Sequence, residues 1–409
     1  MNGARQTVTV GPCPVPLPAG GDVRMRLGSA AMLAAGALLT AAGAASDLHR
    51  VAAAWMWGFT FVWTIVVGAL FFVAVQHLTA SVWSAVVRRV AEAVASHAWL
   101  VAVLFVPVVA FAWMPHAFHV FPWADPGHVA GSEALAGKAP YLNPLFFTIR
   151  GVAFVAIWAA YGRFFVGTSL AQDTGRAGAD ATVRMRRAAP VFVLLFAVSV
   201  TFGAIDWLMS LDPHWFSTIF GVYAFAGMFV TALAVVTLGV LDLRATGRLG
   251  SGVVRDDHVW SLGALVFGMS CFWAYIAFSQ FMLIWYGNLP EETAWFQVRF
   301  AGGWEAVTVA VAFLRFVLPF LLLIARPAKT SVPVLATACA IVIAGQALDL
   351  YWLVMPGAHP DRALPGWIEM GPILAMTGAL GLGVWRFLNR NPAIPVRDPL
   401  LDRSLAHHL

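Results

Sequence analysis

The sequence predicts an all-α integral membrane protein with ten transmembrane helices. Of its 409 residues, 60% are hydrophobic and only 11% are charged, and the mean hydropathy is +0.79. An ordinary soluble domain holds about 25% charged residues. A soluble fold of this composition would have too few polar side chains to cover its surface. The composition therefore excludes a secreted disulfide scaffold and a nucleic-acid-binding protein.

Ten apolar runs, numbered here as spans one to ten, account for this composition. A helix needs about 20 residues to cross roughly 30 Å of hydrocarbon, and a backbone in lipid must satisfy its own hydrogen bonds. The alternation typical of barrel strands is absent from the sequence. The runs cover approximately residues 27–46, 55–78, 98–114, 145–166, 188–207, 215–241, 258–285, 304–325, 331–353 and 367–387.

The distribution of Lys and Arg between the loops predicts the orientation. One set of alternate loops and tails holds 18 of these residues, among them Arg5, Arg88 and Arg89, whereas the other set, which includes Arg362, holds 4. Both termini are therefore predicted to be cytoplasmic. We expect a cytoplasmic N-terminal tail over 1–26, a membrane domain over 27–387 and a cytoplasmic C-terminal tail over 388–409. Residues 1–24 lack the apolar core of a cleaved export signal.

Two outer loops carry signals for helix starts. Pro290 followed by two acidic residues indicates the beginning of a short helix. Asp212 followed by Pro213 predicts the N-cap and the first residue of span six, which favours a structural role for Asp212 over a catalytic one. The longest outer loop, residues 115–144, is predicted to fold back on the membrane surface or to contact a partner.

Ionisable side chains within the spans are costly in lipid, so each is a candidate functional residue. Glu305, Thr308, Ala312 and Arg315 follow a 3-4-3 spacing, which predicts one helical stripe from an outer acid to a guanidinium in mid-membrane. Carboxylates beside a low-dielectric bundle can relay protons. The residues predicted to form an outer proton path are Asp206, His214, Glu305, Arg315, Asp349 and Glu369.

Fewer polar groups lie toward the cytoplasmic ends of the spans, where the candidates are His77, Arg163 and His258. A group within one turn of a helix end can simply reach interfacial water or an opposite charge. For His77, His258 and Glu369 that structural interpretation is favoured over a functional one. Arg315 lies about ten residues from either end of its span and therefore needs a carboxylate or carbonyl partner within the bundle.

The residues argue against a metal or haem cofactor held by this chain. Cys13, Cys271 and Cys339 are isolated in sequence, so they cannot build a local iron–sulfur cluster or zinc site. A b-type haem held by two imidazoles needs histidines within facing helices, and all 11 histidines lie in tails, loops or end turns. Two broad classes stay open: a quinone-reacting or proton-handling subunit, and a small-molecule transporter.

Two stretches narrow the choice. They read DWLMSLDPHWFSTIFGVYAFAG over 206–227, and FSQFMLIWYGNLPEETAW over 278–295 followed by RFAGGW to Trp304. With ten spans and both termini inside, the chain resembles the second polysulfide-reductase-like (NrfD-like) membrane subunit of bacterial alternative complex III, the ActF family. That complex is a quinol:cytochrome c oxidoreductase. The resemblance implies two four-helix bundles, spans two to five and six to nine, flanked by spans one and ten.

The resemblance also implies the function and the partners. The expected function is that of a membrane subunit of a respiratory or photosynthetic chain in the bacterial inner membrane, without its own redox centre and supplying a proton pathway. The expected partners are a multihaem cytochrome c, an iron–sulfur protein and a sister NrfD-like subunit, to which the quinol site is better attributed. The alternatives are a membrane anchor or quinone-binding subunit of another NrfD-like reductase and a free-standing transporter. The transporter is disfavoured because paired Gly/Pro-broken spans are not evident.

Overall fold

The computed structural model of the protein describes residues 21–178, 180–250, 252–360 and 363–408. Arg5, Cys13, Arg362 and most of the predicted N-terminal tail lie outside the described residues. In the part of the chain that is described, no strand occurs and ten helices are long and apolar enough to cross a membrane. The predicted fold class is confirmed: the chain is an all-α, multi-pass membrane protein.

The spans extend most predicted runs by a few residues at either end. A helix of 30 residues is about 45 Å long, so such helices reach beyond the hydrocarbon on both sides. The spans are Val23–Ser46, Leu48–Leu78, Ala85–Trp113, Pro144–Asp173, Ala181–Leu211, Phe220–Ala245, Asp256–Gly287, Trp304–Leu323, Val332–Ala358 and Trp367–Arg390.

The two ends of the membrane domain are named by the chain segments found there. The tail side is the end where span one begins, span ten ends and residues 391–408 lie. The loop side is the opposite end, which holds the connections 114–143, 208–219 and 288–303. The prediction that the tail side faces the cytoplasm stays a prediction.

The helices pack as the two bundles that the resemblance implied. Spans two to five form the first bundle and spans six to nine the second, and in each bundle the first span closes the ring against the last. Spans two and six pack together and join the bundles, while spans one and ten pair with each other and span ten contacts span two. Small residues bring spans one and ten close, since a Cβ on Gly36 would lie 2.1 Å from the Ala375 nitrogen.

Span three begins at Ala85, well before the predicted start near residue 98. A short break at Ser96 and His97 separates its two helical segments, Ala85–Ala95 and Ala98–Trp113. Arg88 and Arg89, predicted to be loop residues, lie on the first segment and are only 2% and 0% exposed. The prediction was wrong because paired arginines were taken as loop markers, whereas buried carboxylates neutralise them here.

Span six begins at Phe220, not near residue 215, so the capping role predicted for Asp212 and Pro213 is wrong. Asp212 instead follows a short 3-10 turn, Met209–Leu211. Trp215 is 2% exposed and stacks on Trp295, with ring centroids 4.3 Å apart. This stacking packs the irregular connection before span six against the helical segment Pro290–Arg299 on the loop side.

The long loop between spans three and four folds over the loop side of the first bundle. It contains three short helices, Pro115–Phe118, Pro126–Ala130 and Glu133–Lys138. Lys138 Nζ donates to the Pro213 carbonyl oxygen at 2.6 Å, and Trp123 Nε1 donates to Ser210 Oγ at 3.1 Å. Burial lowers the pKa of Lys138 from its ordinary value.

The helix predicted to begin at Pro290 is confirmed. It spans Pro290–Arg299, and Pro290 occupies its first turn ahead of two glutamates. An early proline and acidic first-turn residues suit a helix N-terminus, because the missing N–H is not needed there and anions meet the positive end of the dipole. This element is called the loop helix below.

Candidate functional site

Three of the four carboxylates predicted to form one outer cluster lie in three separate ion pairs. Glu369 accepts from Arg50 Nε at 2.8 Å, Asp206 is paired with Arg150, and Asp349 is paired with Arg315. The pairs join spans ten and two, five and four, and nine and eight. Among the described residues no hydrogen bond connects one pair with another. The role of these residues in proton transfer stays a prediction. Of the three arginines, only Arg315 has buried nitrogen atoms that lack hydrogen-bond partners.

Asp206 and Arg150 form a closed pair in the first bundle. Arg150 Nε and Nη2 donate to the two carboxylate oxygens of Asp206 at 2.8 and 2.9 Å, a bidentate arrangement. The guanidinium also donates to the Tyr141 carbonyl oxygen at 3.0 Å and lies over the Tyr141 ring, 3.8 Å from its centroid. Such a saturated pair fixes two spans together and leaves little freedom for proton exchange.

Asp349 and Arg315 lie in the second bundle together with Tyr223 of span six. Arg315 Nε is 3.6 Å from Asp349 Oδ2, and the Tyr223 hydroxyl donates to Asp349 Oδ1. The three side chains are 2%, 1% and 4% exposed, so the charges are held away from the surface of the chain. We call these three residues the relay triad.

The surroundings of Arg315 leave two nitrogen atoms of its guanidinium without a hydrogen-bond partner. Nη1 donates to Thr231 Oγ1 at 3.4 Å, and the guanidinium lies over the Trp273 ring, 4.6 Å from its centroid. Nε and Nη2 of Arg315 and Oε1 of Gln346 are buried without a hydrogen-bond partner. Buried polar atoms of this kind are rare, so two donors of Arg315 and one acceptor of the neighbouring Gln346 are available for further hydrogen bonds.

The absence of two side chains makes room for this guanidinium. A Cβ on Gly227 of span six would lie 2.9 Å from Arg315 Nη2 and 2.9 Å from Gln346 Oε1. A Cβ on Gly345 of span nine would lie 3.0 Å from Arg315 Cδ. Glycine at these two positions lets the neighbouring spans approach a large buried cation.

The stripe predicted from Glu305 to Arg315 is wrong, because Arg315 is buried while Glu305 and Ala312 are exposed. Phe313–Val317 is π-helical, and such a segment shifts the helix face that follows it. Arg315 is buried on the same side as Trp304 and Val311, whereas Glu305 and Ala312 are exposed. Segments of this type occur often at functional sites, and this one contains the arginine that pairs with Asp349.

Glu305 and His214 take no part in the relay triad. Glu305 is exposed, and its Oε2 accepts from the Gly303 backbone N–H at 3.0 Å, which satisfies a donor at the start of span eight. His214 is exposed in the connection before span six. For Glu305 the geometry matches the interfacial interpretation.

The three residues predicted at the cytoplasmic ends of the spans have different surroundings. His258 Nδ1 accepts from the Arg255 N–H at 3.0 Å while Nε2 donates to the Ser404 carbonyl oxygen at 3.0 Å. This pattern requires the neutral ring and ties the C-terminal tail to span seven. His77 is buried and stacks on Phe165 at 5.6 Å, whereas Arg163 is exposed on the outside of span four.

Sequence reasoning missed a buried ion cluster on the tail side. Arg88 donates to Glu92 at 3.0 Å and to Asp398 of the C-terminal tail, while Arg89 pairs with Glu92 at 3.2 Å and with Asp173. Ser169 Oγ also donates to Glu92, at 3.0 Å. The spacing of Arg88 and Glu92 was a signal for a helix, but the long-range acids could not be assigned from sequence.

The C-terminal tail therefore packs across the tail side of the membrane domain. Besides the bond from His258, Ser404 Oγ donates to the Trp83 carbonyl oxygen at 2.9 Å. Leu401–Leu405 forms a short helix, and Leu401 is 5% exposed. The tail contacts the first bundle through Asp398 and the second through Ser404.

Comparison with known proteins supplies no family for the chain. No protein-family model matches it, and neither does any curated protein. In the part of the chain that the structure describes, no group of three or more His, Cys, Asp or Glu side chains is arranged to hold a metal ion.

Proposed function

We propose that this chain is a proton-conducting membrane subunit of a quinol-oxidising electron-transfer complex of the alternative complex III type. The observation that supports it best is the relay triad: a carboxylate, a phenol and a guanidinium from three spans, buried together in the second bundle. The two sequence stretches that resemble the family support the choice of complex, and Tyr223 lies within the first of them.

The triad has the elements that proton transfer needs. Asp349 accepts a hydrogen bond from Tyr223 and has Arg315 beside it, so the cation stabilises the ionised carboxylate in a low-dielectric site. The carboxylate takes up a proton while the Tyr223 hydroxyl turns away from it, and the carboxyl group then releases that proton to an acceptor on the far side as the hydroxyl donates to the carboxylate again. The fixed charge of Arg315 repels a free hydronium ion, so protons pass only by way of the carboxylate.

The redox chemistry is assigned to partners. We propose that a multihaem cytochrome c and an iron–sulfur protein carry the electrons, and that the sister NrfD-like subunit holds the quinol. Quinol oxidation releases two protons for each pair of electrons, and the present chain would move protons alongside that reaction. The alternative is a membrane anchor or quinone-binding subunit of another NrfD-like reductase, which would have different partners.

The test uses the assembly purified through a tag on this chain and reconstituted into vesicles. We expect to find the cytochrome, the iron–sulfur protein and the sister subunit, and we expect Asp349→Asn to lower the number of protons moved per electron. Asp180→Asn is the matched control, because its carboxylate lies 3.5 Å from Arg184 in an exposed pair. An assembled Asp349→Asn complex with an unchanged proton-to-electron ratio would refute the proton role, and a different set of partners would favour the alternative.

A further inference from the structure

The loop-side halves of spans seven and eight stand apart. Span seven packs on the tail-side part of span eight, Phe313–Leu323, and hardly contacts the segment Trp304–Ala312. The π-helical segment Phe313–Val317 lies where the two helices diverge. The gap between them is a groove of about 410 Å³, within the range of about 300–1,000 Å³ typical of ligand pockets.

The walls of this groove are almost wholly apolar. Span seven contributes Phe278 and Phe281, the loop helix contributes Phe296, and Tyr223 and Trp352 close the inner side. Phe278 is 62% exposed, which shows that the groove opens toward the lipid. An apolar groove that opens on the membrane-facing surface favours hydrocarbon over water.

Helix periodicity places two acidic side chains near the loop-side end of the groove, which is called its mouth below. Glu305 is three residues before Thr308 and seven before Ala312, both of which line the groove, so it lies on the same helix face one turn nearer the loop side. Glu292 precedes the lining residue Phe296 by four residues on the loop helix and shares its face.

No exposed cation balances these carboxylates among the residues that line the groove. Arg299, the arginine of the loop helix, is 4% exposed. It donates to the carbonyl oxygens of Trp295, Trp352 and Leu353 at 2.9, 3.2 and 3.1 Å. Burial lowers its pKa to about 9, so it is charged at neutral pH but turned away from the mouth. Among the described residues beside the groove, the accessible charge is therefore negative.

We propose that this groove is a binding site for one ethanolamine phospholipid of the leaflet on the loop side. One acyl chain lies in the groove between spans seven and eight, and the ammonium group of the head lies against Glu292 and Glu305. An anionic phospholipid would bring its net negative charge to the same two carboxylates and is disfavoured. The bound chain covers the inner wall at Tyr223 and so shields the second bundle from water on the loop side.

The test measures lipid retention by the full-length chain in its purified assembly, using native mass spectrometry. Phosphatidylethanolamine, phosphatidylglycerol and phosphatidylcholine with identical acyl chains are added in turn. Two partly exposed ion pairs give a preference of about threefold to tenfold for phosphatidylethanolamine over phosphatidylglycerol. The double variant Glu292→Gln/Glu305→Gln should remove this preference while some lipid is still retained.

A second variant separates the groove from the head-group site. Ala312→Trp fills the groove and should abolish retention, whereas Leu321→Trp, at an exposed position in the tail-side part of the same span, should not. Thermal unfolding of both variants checks that they fold. Lipid retained by a folded Ala312→Trp chain would overturn the proposal, and so would equal retention of phosphatidylethanolamine and phosphatidylglycerol. A neutral isoprenoid quinone found in place of the phospholipid would also overturn it.

Discussion

Arg315 of span eight and Asp349 of span nine lie side by side in the second bundle, with Nε and Oδ2 3.6 Å apart. The distance is that of an ion pair without a direct hydrogen bond, and the carboxylate takes its hydrogen bond from Tyr223 instead. The pair thus has charge complementarity without the closed, bidentate geometry of Arg150 and Asp206. Because of this difference, the pair of Arg315 and Asp349 is a candidate for proton transfer, whereas the pair of Arg150 and Asp206 joins spans four and five.

Removing one member of the pair should destabilise the protein more than removing both. Arg315→Gln leaves an unpaired carboxylate in a buried site, which costs about 3–5 kcal/mol. The double variant Arg315→Gln/Asp349→Asn should recover most of that loss, because no net charge is left in the bundle. Thermal unfolding in detergent measures both, and a double variant less stable than Arg315→Gln would contradict the pairing.

Tyr223→Phe should separate proton transfer from assembly. The ring and its packing are kept and only the hydroxyl that donates to Asp349 is lost, so the complex should assemble normally. The rate of proton transfer should fall by roughly tenfold or more if this hydroxyl acts in the transfer step, and the number of protons moved per electron should fall with it. Tyr275→Phe is the control, since Tyr275 is 66% exposed on span seven. Equal proton ratios in the two variants would exclude the hydroxyl from the path.

The tail should contribute to the stability of the whole membrane domain. Asp398→Asn removes a charged acceptor from Arg88, and a hydrogen bond to a charged group contributes about 1.5–3 kcal/mol. Asp402→Asn, an exposed position four residues along the same tail, should change the free energy of unfolding by no more than about 0.5 kcal/mol. Equal unfolding temperatures for the two variants would show that the tail contact is not stabilising.

The orientation can be tested with reporter fusions. A reporter that is active only outside the cytoplasm should be active when fused after Pro126 or Glu292 and silent after Arg187 or Arg255. The reason is the excess of Lys and Arg on the tail side, which favours retention of those loops in the cytoplasm. The reverse pattern would invert the orientation, and a single discordant fusion would contradict the order of the ten spans.

The sequence predicted the spans well because each is a local property. A run of about 20 apolar residues is a helix in lipid whatever its neighbours do. Span three departs most from its predicted bounds, since Arg88 and Arg89 lie within it and are neutralised by the distant Asp173 and Asp398 as well as by the nearby Glu92. Hydropathy contains no information about acids that far away in the chain.

Four of the six residues predicted for the site are buried in ion pairs, His214 and Glu305 are exposed, and the pairing partners were not predicted. Asp206, Arg315, Asp349 and Glu369 were identified because charge within a span is costly, and all four are buried in ion pairs. The partners Arg50, Arg150 and Tyr223 were missed, because they come from other spans and depend on how the helices pack. The π-helical turn at Arg315 was not predicted, because a regular 3.6-residue periodicity was assumed throughout the span.

The position of span two has a consequence for the order in which the chain is synthesised. About 89% of its most apolar window is buried, largely by spans made after it, and Arg50 at its start is paired with Glu369, 319 residues later. During synthesis the uniformly apolar sides of span two can rest in lipid without penalty, and the charge of Arg50, at the helix end, can stay hydrated. The ribosome must release nearly the whole chain before this last contact closes. A chain that stops before span ten would therefore expose an unpaired arginine and a bare helix face, a recognisable substrate for membrane proteases.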